Sequence, residues 1–308
     1  KQTHIERSDN RVYVTLQKPD LSEFNTLYLT PLHLATSNPG AKGQIGEAKK
    51  QALLNTWSLF ETKTVANWDD KPLYYYKSGH SFSYTPSCVR SQTTNQFLSE
   101  FLTRGEGQCD AFEKLFQAAL AANGIQSTRV IVESKPYEYV DSEGIRRSDV
   151  PSILVKNWSY SNPTLNDTGP YQWRLILNKE EGGYSGMVPK NDNNRYGDLT
   201  SEVGLAGQNS PTPSEKVCGR HFIVRVTDEK AIIDGGLTTV YYDPSYGVAY
   251  DGEKEEAQRD FENKAVDGYF LYFEEDEQTE DDQDEPEEAY DYYRVRQSNG
   301  LNNILFSQ

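Results

Sequence analysis

Basic residues are in short supply in this chain, and sulfur and imidazole are scarcer still. Lys and Arg number 31 against 47 Asp and Glu, giving a net charge of −16 over 308 residues. Such a surface repels a nucleic-acid backbone or an anionic membrane, so no nucleic-acid partner is expected. No run of eighteen or more apolar residues occurs, which excludes membrane insertion by a spanning helix. Methionine occurs once, cysteine three times and histidine four times. There is no HExxH pair, no CxxC, no GxxxxGK[ST] loop and no GxSxG elbow. A zinc protease, a P-loop NTPase and a standard serine hydrolase are therefore unsupported. Aromatics, at 12%, are plentiful enough to build a substantial core.

The charge is unevenly spread. Glu274 to Glu288 holds eleven acidic residues and no basic one, so the remainder carries −16 + 11 = −5. A like-charge block of this kind reads as solvated. Elsewhere the periodicity predicts helices first and strands later. A short strand is expected at Val12–Leu16 and a helix across Gly43–Thr62. Another helix follows Thr93 or Thr94, and a further one runs from Cys109 to Ala122 with Gly124 as its left-handed cap. Strands are expected at 128–133, 153–156, 171–177, 221–226, 238–243, 268–273 and 290–296. That order predicts an α+β fold with an antiparallel sheet. Three regions are expected: an N-terminal extension (1–80), a core (81–251) with a long insertion at 157–219, and a C-terminal segment (252–308) containing the acidic loop 274–288.

Cys109 stands at the predicted first turn of an apolar helix. Backbone N–H groups there lack intrahelical partners, and the helix end is partly positive. Both favour a thiolate and a nearby oxyanion. An inert buried cysteine is the plainer reading of this residue alone. His221 opens the strand His221–Val226, in which Phe222, Val224 and Val226 share one face and His221, Ile223 and Arg225 the other. Pairing His221 with Asp243 sets Val224 opposite Val240 and Val226 opposite Thr238. That places imidazole and carboxylate side by side. Cys, His and Asp in this order have the parts of a nucleophile, a base and an orienting acid.

Gly107-Gln-Cys-Asp-Ala-Phe-Glu-Lys-Leu-Phe116, then Ala118–Ile125 and Arg129-Val130, resembles the core of the transglutaminase-like superfamily. His221-Phe-Ile-Val and Tyr242-Asp-Pro-Ser-Tyr-Gly247 resemble its His and Asp blocks. The resemblance implies a papain-related fold: a Cys-bearing helix packed on an antiparallel sheet that carries His and Asp. It implies Cys109 as nucleophile, His221 as base and Asp243 as orienting acid. The backbone N–H of Cys109 is one implied oxyanion donor, and Gln108, Trp68 or Trp57 is available as a second. A Cys88–Cys218 disulfide would leave Cys109 as the reactive thiol; three thiols in a reducing compartment is the alternative.

The implied function is acyl transfer or hydrolysis at amide bonds of a protein or peptide, through a thioester on Cys109. No cofactor is required, although many transglutaminases use calcium. The acidic run suits calcium in composition. Asp192-Asn-Asn-Arg-Tyr-Gly197 echoes a calcium loop but has Val203 where the bidentate Glu belongs. Alternatives are a protein-crosslinking transglutaminase, a catalytically inactive binding module, and a carbohydrate-binding β protein using Tyr74–Tyr76 and Tyr290–Tyr293. Asn157 and Asn166 fit the glycosylation acceptor pattern. The start at Lys1, the single Met and the abundant Asn, Ser and Tyr point to an extracellular or periplasmic location.

Overall fold

The computed structural model describes residues 11–37, 40–75, 94–140, 146–149, 152–155, 171–178, 183–189, 207–210, 217–218, 220–273, 289–295 and 304–307. In chain order the helices are α1 (Leu29–Thr36), α2 (Ile45–Glu61), α3 (Thr94–Arg104), α4 (Cys109–Ala122) and α5 (Lys254–Ala265). The strands are β1 (Tyr74–Tyr75), β2 (Glu106–Gly107), β3 (Ser127–Ser134), β4 (Tyr137–Val140), β5 (Arg146–Asp149), β6 (Ser152–Val155), β7 (Tyr171–Asn178) and β8 (Gly183–Pro189). They continue with β9 (Val217–Cys218), β10 (His221–Val226), β11 (Tyr241–Asp243), β12 (Val248–Tyr250), β13 (Val266–Phe273), β14 (Ala289–Val295) and β15 (Ile304–Ser307). The chain is thus mixed α+β.

Its central feature is a five-stranded sheet in the order β12-β11-β10-β3-β15, antiparallel throughout. The edge strand β15 comes from the last residues of the chain. A six-stranded sheet, β8-β7-β14-β13-β6-β9, combines β6, which precedes the long insertion, and three strands of the insertion with two strands that follow α5.

Both faces of the five-stranded sheet are covered, which is why β10 reads as a nearly unbroken apolar run. On one face Phe222, Val224, Val226 and Tyr242 join residues of α2, α3 and α4 in a single buried cluster. On the other, Val130, Val132, Ile223, Tyr241 and Tyr250 pack with Ala257, Phe261 and Ala265 of α5. The apolar stripe of α4 (Phe112, Leu115, Phe116, Ala119, Leu120) is wholly buried. The helix ends as its sequence requires. Gly124 has φ +68°, and the N–H groups of Gly124 and Ile125 donate to the carbonyls of Ala121 and Leu120. This is the Schellman arrangement, and it turns the chain directly into β3.

Three expectations need correction. Val12–Leu16 is not a strand: Val12 and Val14 are 84% and 79% exposed, and the segment pairs with no strand among the described residues. The strand expected from Thr238 begins only at Tyr241, because Lys230–Asp234 forms a π-turn and the chain after it runs irregularly. The register is also displaced. Val224 pairs with Tyr242 and Arg225 with Tyr241, two residues from the expected alignment. Helix α5 lies where the periodicity predicts no helix.

A short piece of the long insertion is anchored inside the core. Gln208 is fully buried, and its Nε2 donates to the carbonyls of Phe60 and Pro244, each at 2.7 Å. Its backbone N–H donates to Ser245, and its carbonyl accepts from Tyr75. Gln208→Ala is expected to orphan both carbonyls and lower stability by about 2–4 kcal/mol. Urea unfolding measures this; a midpoint within error of wild type would count against the anchor.

Candidate active site

Chain geometry sets which end of the sheet each of the three sequence-predicted residues occupies. Helix α4 spans about 21 Å at 1.5 Å per residue, and the turn at Asn123–Gln126 sends β3 back along it. Strand β10 runs antiparallel to β3, with Val226 opposite Ser127 and His221 opposite Val132. From Ser127 to Val132 the rise is about 17 Å. His221 therefore lies at the end of the sheet where α4 begins, and α4 begins at Cys109.

Polar contacts fix this alignment. The fully buried Glu113, one turn into α4, accepts from Arg129 Nε at 2.9 Å and Nη2 at 2.7 Å through Oε2. The side-chain amide of Gln117 donates to Glu113 Oε1 at 2.8 Å and accepts the Arg129 N–H at 2.9 Å. Burial pushes the Glu113 and Asp110 carboxyls up, and the Arg129 cation pulls both back. The guanidinium also lies 4.7 Å over the Phe222 ring. Helix and strand are thus pinned one turn below the thiol.

Cys109 is 6% exposed and is a thiol rather than half of a disulfide. Gly107 lets it sit there: a Cβ at that position would come within 2.5 Å of Ala111 and 2.7 Å of the Phe101 ring. The carbonyl of Gln108 accepts from Ala111 and Phe112, so Gln108 caps the helix.

His221 and Asp243 are joined directly. Nε2 of His221 is 2.7 Å from Oδ2 of Asp243, and the two residues are 1% and 0% exposed. The two-residue slip in register preserves this contact. A shift of two keeps every side chain on its face, whereas a shift of one would have turned Asp243 away. Asp243 also organises the turn that follows. Its Oδ1 accepts the N–H groups of Ser245 at 3.1 Å and Tyr246 at 3.2 Å, and its carbonyl accepts from Gly247. The Tyr246 ring lies on the His221 imidazole, centroids 5.0 Å apart and planes 19° from parallel. Tyr246 belongs to the same buried cluster as Cys109, so it links the two sheet faces at this end.

The oxyanion candidates separate clearly. Gln108 is adjacent to Cys109 in the chain. Trp57 packs in the core between Phe116 and Tyr242, with centroids at 5.6 and 4.9 Å. Phe116 is about two helical turns from Cys109. Trp68 is 40% exposed, and its backbone bonds Arg11 and Thr30. Gln108 is the one that connectivity brings to the thiol.

Sequence reasoning missed Tyr250, whose hydroxyl donates to Asp243 Oδ2 at 3.2 Å. It also missed Tyr75, whose hydroxyl is 3.4 Å from that of Tyr246. Tyr250 lies opposite Tyr241 across β11 and β12, two positions along β11 from Asp243. Alternation along those strands was the signal for it; nothing local marked Tyr75.

Cys88, the acidic run 274–288, Asp192–Gly197, Asn157 and Asn166 lie outside the described residues. Cys218 is described only through its backbone pairing with Ile153, so the Cys88–Cys218 bridge lies outside them too. Among the described residues no group of three or more His, Cys, Asp or Glu side chains is placed to hold a metal ion. Among those residues, too, no helix is long and apolar enough to cross a membrane. Compared with known proteins, the chain matches no family model, no curated protein and no solved structure.

Proposed function

We propose that this chain is a thiol-dependent hydrolase or acyltransferase acting on amide bonds of a protein or peptide, with a papain-related core. The observation that carries the reading is the buried His221–Asp243 hydrogen bond of 2.7 Å at the sheet end where α4 begins with Cys109. With Nε2 on Asp243, this reading assigns Nδ1 to the thiol. His221 takes the Cys109 proton, and the sulfur attacks the amide carbonyl carbon. The oxyanion is met by N–H groups at the start of α4 and by the Gln108 side chain. His221 then protonates the leaving amine as the C–N bond breaks, giving a thioester on Cys109. Water attacks the thioester as His221 takes one of its protons; the C–S bond then breaks, the carboxylic acid leaves, and His221 returns the proton to the Cys109 sulfur. An amine in place of water would make the chain a crosslinking enzyme. No step calls for a cofactor.

A second reading, a scaffold that binds proteins without catalysis, is favoured by how completely the thiol is covered.

The two are separated by the alkylation rate of Cys109 against pH, read by mass spectrometry, with His221→Ala alongside. Fast reaction at or below neutral pH, lost in His221→Ala, is the expected result. A profile like that of an ordinary thiol, unchanged by His221→Ala, would leave the scaffold reading.

A further inference from the structure

Asp243 receives more donors than an orienting acid needs. Two backbone N–H groups reach Oδ1, while Oδ2 is shared between His221 Nε2 at 2.7 Å and the Tyr250 hydroxyl at 3.2 Å. We infer that Tyr250 is a positioning residue that limits how strongly Asp243 holds the His221 imidazole in its protonated form.

The effect is localised at one oxygen atom, Asp243 Oδ2. A carboxylate oxygen facing only an imidazole N–H concentrates its charge there and favours the imidazolium. A second donor on the same oxygen draws off part of that charge. The phenol can act only as a donor here. Tyr250 is fully buried, and burial followed by the neighbouring Asp243 charge keeps its proton in place well above the usual phenol range. Its position is fixed by packing. The Tyr250 ring lies 5.1 Å from Phe261 of α5, and Phe261 lies 5.9 Å from His221. The packed ring thus holds the hydroxyl beside Asp243 Oδ2.

The other charged and titratable groups around this pair come from every packed element. On α5, Asp260 and Lys264 bond each other at 2.6 Å, with the ammonium 5.8 Å over the Tyr250 ring; Glu262 is also buried on this helix. On the flank of β3 and β10, Glu133 pairs with Arg220. The following turn supplies Tyr246, and β11 supplies Tyr241, its phenol raised by burial. The two ion pairs are internally balanced, and the Tyr250 hydroxyl is the side-chain donor that shares Asp243 Oδ2 with His221.

The inference rests on the proposed role of His221, but its test does not use catalysis. The measurement is the titration of the His221 ring by NMR in the full chain, assigned against His221→Gln, in wild type and Tyr250→Phe. Removing the hydroxyl is expected to raise the His221 pKa by about half to one unit. In Asp243→Asn the same substitution is expected to leave His221 unmoved, because the effect passes through the carboxylate. A His221 pKa unchanged by Tyr250→Phe in a folded protein would overturn the inference. If that variant does not fold, the wild-type protein decides. A slowly exchanging Tyr250 hydroxyl proton whose chemical shift follows the His221 titration supports the inference, and one that ignores it overturns it. An inert Cys109 would defeat the proposed function while leaving this result standing.

Discussion

Asp243→Asn is expected to slow alkylation of Cys109 near neutral pH by about 10²- to 10⁴-fold while the protein stays folded. The reason lies in the direction of the donors around the side chain. Oδ1 accepts two backbone N–H groups, and Oδ2 faces His221 Nε2 and the Tyr250 hydroxyl. An amide has one acceptor end and one donor end. The two N–H groups cannot turn away, so the Asn oxygen goes to them and its NH₂ group faces His221. Nε2 must then accept, which places the ring proton on Nδ1. An imidazole protonated there offers the thiol a donor instead of a base. The charge that supports the imidazolium is lost as well. The check is the second-order rate constant for iodoacetamide over a range of pH, with folding confirmed by circular dichroism. A rate within about threefold of wild type would mean that His221 does not depend on Asp243 for its tautomer.

Much of this site was legible in the sequence because local rules govern it. The boundaries of α4 follow from an apolar stripe that starts after a glycine-containing turn and stops at Gly124. The faces of β10 follow from alternation, which fixed His221 and Ile223 on one side and Phe222 and Val224 on the other. Register was not legible, because it depends on the connection between strands. Residues 227–240 form a π-turn and an irregular stretch, and no local rule gives how far such a stretch advances the chain. The contact between His221 and Asp243 survived only because the error was even.

Other features escaped for different reasons. Helix α5 carries Ala257, Phe261 and Ala265 as its only apolar core residues among many charged ones. Its start was marked by a capping box, with the Glu253 N–H donating to Glu256 Oε2 at 3.3 Å. A charge-rich helix of this kind is easily taken for a loop. Val12–Leu16 is the converse case: alternating apolar residues suggest a strand, but an edge needs a partner, and none of the described strands pairs with it. The buried Gln208 and the Tyr250 hydroxyl act across the fold, so only the assembled structure reveals them.

Lys49→Met is expected to cost about 3–5 kcal/mol, a large part of the roughly 5–15 kcal/mol that stabilises a domain. Lys49 projects from α2 with its ammonium buried, 2.5 Å from Asp228 Oδ2 and 2.9 Å from the carbonyl of Gly124. Asp228 also accepts the N–H of Ala231 at 3.1 Å and that of Gln126 at 3.3 Å. One ion pair thus ties α2 to the turn between α4 and β3 and to the exit of β10. Methionine keeps the length of the stem, so the expected loss is electrostatic. A carboxylate remains buried without its cation, and the Gly124 carbonyl loses a donor. Adding Asp228→Asn should recover part of the loss, since an amide is far cheaper to bury than an unpaired charge. Urea midpoints for the two single variants and the double variant form the cycle that isolates the pair. This knot lies at the opposite end of the sheet from His221, and Glu113–Arg129 separately holds the beginning of α4. Folded Lys49→Met protein should therefore alkylate at Cys109 within about threefold of wild type. If the rate falls with the stability, the distant turn rather than the Glu113–Arg129 pair sets where the thiol sits.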